Sequence, residues 1–411
     1  MCAGDGERVV GAVSLPEHLY VHVPVCRAKC VYCDFFSVVG GGAAECAALV
    51  SHTVGVAEGL AGRAADAGLR AGGLATLYFG GGTPTVLGHE LVRLVERLGG
   101  VFGLQRGAEV TVEGNPESVN AGLVEALAGA GVTRMSIGVQ SLDDGVLASL
   151  GRPHSVEDAL AAVAAVQRAG LELSIDLIAG IPGVSRRRWL ETLDRVVALG
   201  VTHVSVYPLA VEEGTPLALT IERGERAAPD EDASAQAMED AAERLSRAGL
   251  VRYEVANYAV PGHESRHNRA YWTGRPYLAL GGGAHGMLRG TTARALGLWT
   301  PDPETPACAA DDVRIRYAYA DEMFFAPTPA MTECLTAAEA AREDAMLGLR
   351  LGEGIDDALG NRAGVTGVLR SLADDGLLTH RDGRWMPTHR GWLLGNVVFG
   401  RVWNAGNAES R

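Results

Sequence analysis

The sequence predicts an α/β protein: a partial (β/α)6 barrel of TIM type followed by a C-terminal, mainly helical, winged-helix-like domain. Two observations predict it. Between Leu19 and about Leu209, short apolar runs rich in β-branched residues alternate with longer alanine-rich stretches, the pattern of parallel strands joined by helices. The count stops at six such units, short of the eight that close a full barrel.

In chain order, residues 1–18 read as a short leader. Residues 19–210 carry the barrel, with strands expected at Leu19–Val25, Leu74–Phe79, Glu109–Glu113, Arg134–Gln140, Glu172–Ala179 and His203–Leu209. Helices are expected at Glu90–Leu98, Ala121–Ala130, Val156–Ala169 and Arg188–Leu199, several stopped by a glycine that can take the left-handed conformation a helix end asks for. Residues 211–330 read as a connector and barrel cover. They hold an acidic, proline-containing stretch, a helix from Asp230 to Ala248, a segment rich in His, Tyr, Trp and Gly (Val251–Gly290), and a run of little periodicity from Thr291 to Ala330. In residues 331–411, helices Ala337–Leu351 and Val365–Asp374 precede a hairpin-like Gly376–Pro387. With few basic residues there, the module is expected to pack rather than bind DNA.

Composition excludes some functions. The 411 residues are 47% apolar with a formal charge of −14, which disfavours a general nucleic-acid surface because phosphates need a clustered basic face. No apolar run approaches the roughly 18 residues of a membrane span, and no opening segment has signal-peptide character. A cytoplasmic location is expected, with peripheral membrane contact left open. Seven cysteines without disulfide-like spacing agree with a reducing compartment.

The most informative residues are Cys26, Cys30 and Cys33, directly after the first strand candidate. Three thiolates can hold three irons of a 4Fe-4S cube, whereas an electron-transfer cluster normally takes four. One iron would remain open. A thioredoxin-like Cys30–Cys33 couple, or a zinc site completed by His22, are the competing readings. Cys2, Cys46, Cys308 and Cys334 are scattered singly and read as ordinary thiols.

Other polar residues sit at the C-terminal ends of strand candidates, where α/β active sites lie. The segment Gly80-Gly-Gly-Thr83 lets backbone groups approach a ligand without Cβ atoms in the way; a phosphate loop would need a lysine that is missing. Glu113 could accept hydrogen bonds from an amine or a ribose, or serve as an acid at a helix start. Arg152 could pair with a carboxylate through its planar fork, or be a surface residue. Asp176, in an otherwise apolar strand, calls for a polar partner. Downstream, His267-Asn268-Arg-Ala-Tyr271-Trp272 groups an imidazole, an amide and two large aromatics. Histidine is a common axial ligand of haem iron, and aromatics can cover a macrocycle; a hydrogen-bonded loop histidine with core aromatics is the alternative. His263 and His285 are further candidates.

Tyr20-Val-His-Val-Pro24 leading into the cysteines, Gly80–Thr85, Ser136–Ser141, Gly151–His154, Ile175–Ile178 and Gly281–Gly286 together resemble the coproporphyrinogen oxidase-like radical S-adenosylmethionine family. The resemblance runs from about Leu19 to Gly290, with a weaker C-terminal echo. Within that family, the oxygen-independent coproporphyrinogen III dehydrogenases carry a further cysteine two positions after the third cluster ligand and a long N-terminal arm. Here that position is Phe35, and a short leader precedes Tyr20. The haem chaperones of HemW type lack that cysteine and carry His-Asn-x-x-Tyr-Trp, which His267–Trp272 matches. The resemblance therefore implies a haem chaperone that delivers haem to respiratory haem proteins, with the dehydrogenase, or a radical enzyme acting on another substrate, as the alternatives. It implies that Cys26, Cys30 and Cys33 hold the 4Fe-4S cluster, and that Tyr20, Tyr32, Gly81, Gly82, Thr83, Glu113, Gln140, Arg152 and Asp176 line the S-adenosylmethionine site. His267 is implied as the haem contact, with Asn268, Tyr271 and Trp272 beside it. Gly114 and Gly282 depart from the family pattern, where Ala and Pro are common.

Overall fold

A computed structural model describes residues 14–302 and 313–406. Most of the leader, and with it Cys2, lies outside the described residues, as does Cys308.

Six parallel strands form the centre of the main sheet: β1 (His18–Val23), β2 (Leu74–Gly81), β3 (Leu104–Gly114), β4 (Arg134–Gln140), β5 (Glu172–Ala179) and β6 (His203–Pro208). They pair in that order. The sheet does not stop at six. Residues 251–280 add β7 (Val251–Arg252), β8 (Asn257–Ala259) and β9 (Leu278–Leu280), giving the order β9-β1-β2-β3-β4-β5-β6-β8-β7. β9 is parallel to β1, with Leu19 opposite Leu278, whereas β8 runs antiparallel to β6. The extra strands have only two or three residues, too few for an alternation to show in sequence. The architecture is the partial TIM-type α/β barrel.

Side-chain parity explains how this sheet carries a site. On one face, residues such as Leu19, Val21, Leu77, Phe79, Val110, Val112, Ile137, Ile175 and Val204 are fully buried in a single core, each contributing about 2 kcal/mol on burial. On the other face, alternate positions are polar and line an interior cavity, including Tyr20, Tyr78, Thr111, Ser136, Ser174 and Ser205. Parallel sheets usually read as continuous apolar runs because both faces are covered. Here a polar lumen keeps the alternation. The later helices between the strands start on side-chain caps that satisfy their first N–H groups, Asn120 for Ala121–Gly129, Ser155 with Asp158 for Val156–Arg168, and Ser185 for Arg186–Ala198, whereas Ala43–Asp66 and His89–Phe102 start at glycines without one.

A second sheet of β10 (His285–Arg289), β11 (Arg314–Ala318) and β12 (Met331–Leu335) is antiparallel throughout. β11 arises in the stretch expected to have little periodicity. Its Arg-Ile-Arg-Tyr-Ala buries Ile315 and Tyr317 and turns Arg314 and Arg316 to Glu343 at 2.7 and 2.9 Å. Glu343 belongs to helix Ala337–Gly348, which opens the C-terminal domain. There a three-stranded sheet of Ile355–Asp356, Leu378–Arg381 and Arg384–Pro387 packs with helices Asp357–Arg362 and Thr366–Asp374 in winged-helix fashion. This domain has its own core, from Leu349 and Leu369 to Trp385 and Phe399. Cys334, expected as an ordinary thiol, is disulfide-bonded.

Candidate functional site

The cysteine loop leaves β1 and returns at once. Val25–Cys26 pairs in parallel with Val38–Val39, so the three cysteines sit on a closed excursion at the C-terminal end of the strand. The loop is seated on the glycine segment after β2: the Gly82 N–H donates to Val23 O at 3.0 Å and the Thr83 N–H to Val25 O at 2.7 Å. A Cβ on Gly82 would lie 2.6 Å from that Val23 oxygen, and one on Gly81 would lie 2.3 Å from the His22 ring. Only glycines allow this approach.

Hydrogen-bond donors are aimed at two of the sulfurs. The Thr83 hydroxyl donates to Cys26 Sγ at 3.4 Å, and Arg152 Nη1 donates to Cys30 Sγ at 3.2 Å. Arg152 also donates to Asn115 Oδ1 and Gly138 O, both at 2.7 Å, while Asn115 Nδ2 donates to Thr83 at 3.0 Å. Asn115 thus ties the arginine to the glycine segment. Burial works against the Arg152 charge, but Tyr32 and Cys30 beside it raise its pKa on balance. Burial pushes up both Cys33 and Tyr32.

His22 does not complete a zinc site. Nδ1 lies 3.1 Å from the Tyr20 hydroxyl and Nε2 lies 2.9 Å from Phe36 O, so both ring nitrogens are engaged. Among the described residues no three His, Cys, Asp or Glu side chains converge as a single metal ion requires. Three cysteines on one loop, with donors aimed at two of their sulfurs, suit a cube in which each thiolate holds a different iron.

Behind the loop lies a cavity of about 290 Å3. Tyr20, Glu113, Asp176 and Tyr207 line it near the strand ends, and His267, Asn268 and Tyr271 line its inner end. Glu113 accepts from the Tyr78 hydroxyl at 2.6 Å and from the Gly81 N–H at 3.3 Å. Burial nevertheless raises its pKa to about 7, and nearby Asp176 adds to the effect. Asp176 is raised to about 6, again mainly by burial, against the opposing hydroxyls of Ser205 and Ser136; Ser136 Oγ reaches both its oxygens, at 3.1 and 3.2 Å. Two carboxylates that ionise near neutrality in one polar cavity suit recognition of a cationic, hydroxyl-bearing ligand. Gln140 ends β4 at a positive φ of 64°, uncommon outside glycine, and a Cβ on Gly138 would lie 3.0 Å from its amide.

The HNxxYW segment forms helix Arg266–Trp272, capped by Ser265. His267 is buried, with Nδ1 2.6 Å from Thr76 Oγ1 and Nε2 2.8 Å from the Tyr271 hydroxyl. Its ring stacks on Tyr78 at 5.0 Å between centroids. Burial lowers its pKa to about 3, so it is neutral. Asn268 Nδ2 donates to the Tyr253 hydroxyl at 3.3 Å. Trp272 does not line the cavity; Arg350 lies over its ring at 5.1 Å. His263 pairs with Glu172 at 3.1 Å, outside the cavity lining, and His285 is exposed. Sequence reasoning missed Asn115, Tyr78, Ser136 and Ser205. All but Asn115 were legible as polar positions of the lumen-facing parity.

Comparison with known proteins matches residues 20–196 to the radical SAM superfamily and residues 335–394 to the HemN C-terminal domain. Heme chaperone HemW of Mycobacterium tuberculosis (strain H37Rv) is 38% identical, over 93% of this chain and 94% of that protein. The chain belongs to the HemW family. HemW of Bacillus subtilis (strain 168) is 30% identical, over 93% of this chain and 97% of that relative. A bovine relative, radical S-adenosyl methionine domain-containing protein 1, mitochondrial, is 38% identical over 66% of this chain and 60% of its own. In fold, the chain superimposes on the radical SAM enzyme coproporphyrinogen III oxidase (HemN) from Escherichia coli with a TM-score of 0.72, at 20% identity, covering 95% of this chain and 90% of that one. A HemW-family chain with this barrel is a haem-related member of the radical SAM superfamily, a class that carries a 4Fe-4S cluster and S-adenosylmethionine. No described helix is long and apolar enough to cross a membrane.

Proposed function

We propose that this protein is a haem chaperone that binds a 4Fe-4S cluster, S-adenosylmethionine and haem, and that it delivers haem to respiratory haem proteins in the cytoplasm or at the membrane surface. The observation that carries the reading is similarity to HemW proteins along 93% of the chain. Phe35 supports it. It stands where a coproporphyrinogen dehydrogenase would have a further cysteine, and it is 61% exposed.

Cys26, Cys30 and Cys33 hold the cluster, which when bound supplies an electron and one open iron position. Thr83 and Arg152 each donate a hydrogen bond to the sulfur of one ligand, Cys26 and Cys30. Arg152 also meets the ligand carboxylate, the glycine segment offers backbone groups to its amine, and Glu113 and Asp176 face its ribose and positive charge. Tyr20, Tyr32 and Gln140 close the sides. His267, Asn268, Tyr271 and Trp272 serve haem binding.

The test is an anaerobic incubation of the reconstituted protein with coproporphyrinogen III, S-adenosylmethionine and a reductant, and separately with haem. A haem complex without protoporphyrinogen formation is expected. Protoporphyrinogen formation would replace this reading with the dehydrogenase.

A further inference from the structure

At the opposite end of the barrel from the cysteines, a cleft of about 840 Å3 opens at the N-terminal rim of β1 and β9. Ligand pockets for organic molecules span about 300–1,000 Å3, so its size is that of a large ligand. Leu15, Pro16, Pro276 and Met287 supply apolar walls. The charge is the notable feature. In a chain of net charge −14, this cleft is lined by Arg275, Arg289, Arg314 and Arg362 against Glu17 and Asp344. Arg314 is committed to Glu343 and Asp344, each at 2.7 Å. Arg275, Arg289 and Arg362 are exposed, and of the three Arg362 lies near enough to an acid of the cleft, Asp344, to favour its charged form.

One histidine lines the cleft, and it is held from behind. His18 Nδ1 lies 2.9 Å from Thr76 Oγ1, and the same hydroxyl lies 2.6 Å from His267 Nδ1. His18 Nε2 has no hydrogen-bond partner among the described residues. The distances allow two polarities, and the one that suits a ligand at His18 has His18 Nδ1–H donating to Thr76, Thr76 to His267 Nδ1, and His267 Nε2–H to Tyr271. This polarity leaves a lone pair on His18 Nε2. Metal-binding histidines commonly have the other ring nitrogen fixed by such an outer partner.

We propose that this cleft is the haem site, with His18 Nε2 as the axial ligand, Arg275 and Arg289 pairing with the propionates, and His267 acting as a positioning residue through Thr76. The proposal rests on the haem-chaperone reading above and adds the site. A dianionic macrocycle with an apolar body and an iron needing one nitrogen ligand matches the walls, the arginines and the histidine together. It also gives the HNxxYW motif a part in haem binding although both ring nitrogens of His267 are occupied.

The test titrates ferric haem, and haem dimethyl ester, into the full-length reconstituted protein. His18→Ala is expected to shift the Soret band and weaken haem at least about tenfold, and added imidazole is expected to restore the wild-type spectrum. Arg275→Glu with Arg289→Glu is expected to weaken haem by about tenfold or more while leaving the dimethyl ester unaffected, since a charge-assisted bond lost is worth that much. Both arginines are exposed, so this variant tests the site even where His18→Ala perturbs folding. Thr76→Val is expected to weaken haem less than His18→Ala. Wild-type spectra and affinities in the His18 and arginine variants would overturn the site and leave the chaperone reading standing; absence of any Soret complex in the wild type would overturn both.

Discussion

Asp176→Asn isolates the cost of a carboxylate in the lumen. In the folded protein Asp176 ionises at about 6 rather than its ordinary 3.8. An acid with a raised pKa makes the folded state bind more protons than the unfolded state, so stability is greatest below about pH 4 and is lost as pH rises through 6. The difference of roughly two pH units corresponds to about 3 kcal/mol at about 1.4 kcal/mol each. Asp176 is only half-buried, and solvent reaching the cavity reduces this to about 1.5 kcal/mol. Asparagine keeps the shape and an acceptor for Ser136 but cannot ionise. Urea melts of the cluster-free protein at pH 4 and pH 8 therefore should show wild type losing about 1.5 kcal/mol more than Asp176→Asn between the two. Parallel pH dependence in the two proteins would refute the placement of an ionised, poorly solvated carboxylate at this position.

Asn115→Ala removes the link between Arg152 and Thr83 and should weaken S-adenosylmethionine by about tenfold with iron content unchanged, measured by equilibrium dialysis. Gly82→Ala forces a Cβ to within 2.6 Å of Val23 O and 2.9 Å of Val25 N; it should cost about 2 kcal/mol and lower the iron retained after reconstitution, as thermal melts and iron assay would show. Arg314→Leu leaves the 5%-exposed Glu343 with Arg316 alone, and should cost about 3 kcal/mol in denaturant melts. Wild-type stability there would mean that the arginine pair does not hold the second sheet to the C-terminal domain.

The barrel was legible because its strands are long. Arg134–Gln140 and Glu172–Ala179 occur with the bounds read from sequence, since each is a full run between a glycine-terminated helix and a turn. β9 was not legible: Leu-Ala-Leu followed by three glycines carries no periodicity, and only pairing with β1 makes it a strand. β11 was available as an Arg-Ile-Arg-Tyr alternation but lay in a stretch otherwise without pattern. At the site, Glu113 and Asp176 stood out as acids in apolar strands. His18, one residue before the first strand expected, is linked to the HNxxYW segment only in space, through Thr76 to His267, which are 58 and 249 residues away in sequence.

A polar lumen is an expensive way to fill a barrel, because each hydroxyl or charge removed from water needs a partner. Most have one here: Ser174 Oγ lies 2.7 Å from His203, whose other nitrogen lies 3.0 Å from the Tyr253 hydroxyl. The exceptions are concentrated. Thr111 Oγ1, together with Arg134 Nε and Nη1, is buried without a hydrogen-bond partner, and both residues line the same cavity. In a barrel built only for stability, apolar residues at these positions would remove the cost. Their retention between the cysteine end and the His267 end is accounted for if polar ligand atoms or ordered waters fill the lumen in use. The alternation of strand parity is then the sequence record of that requirement: six strands keep one face for the core and give the other to function.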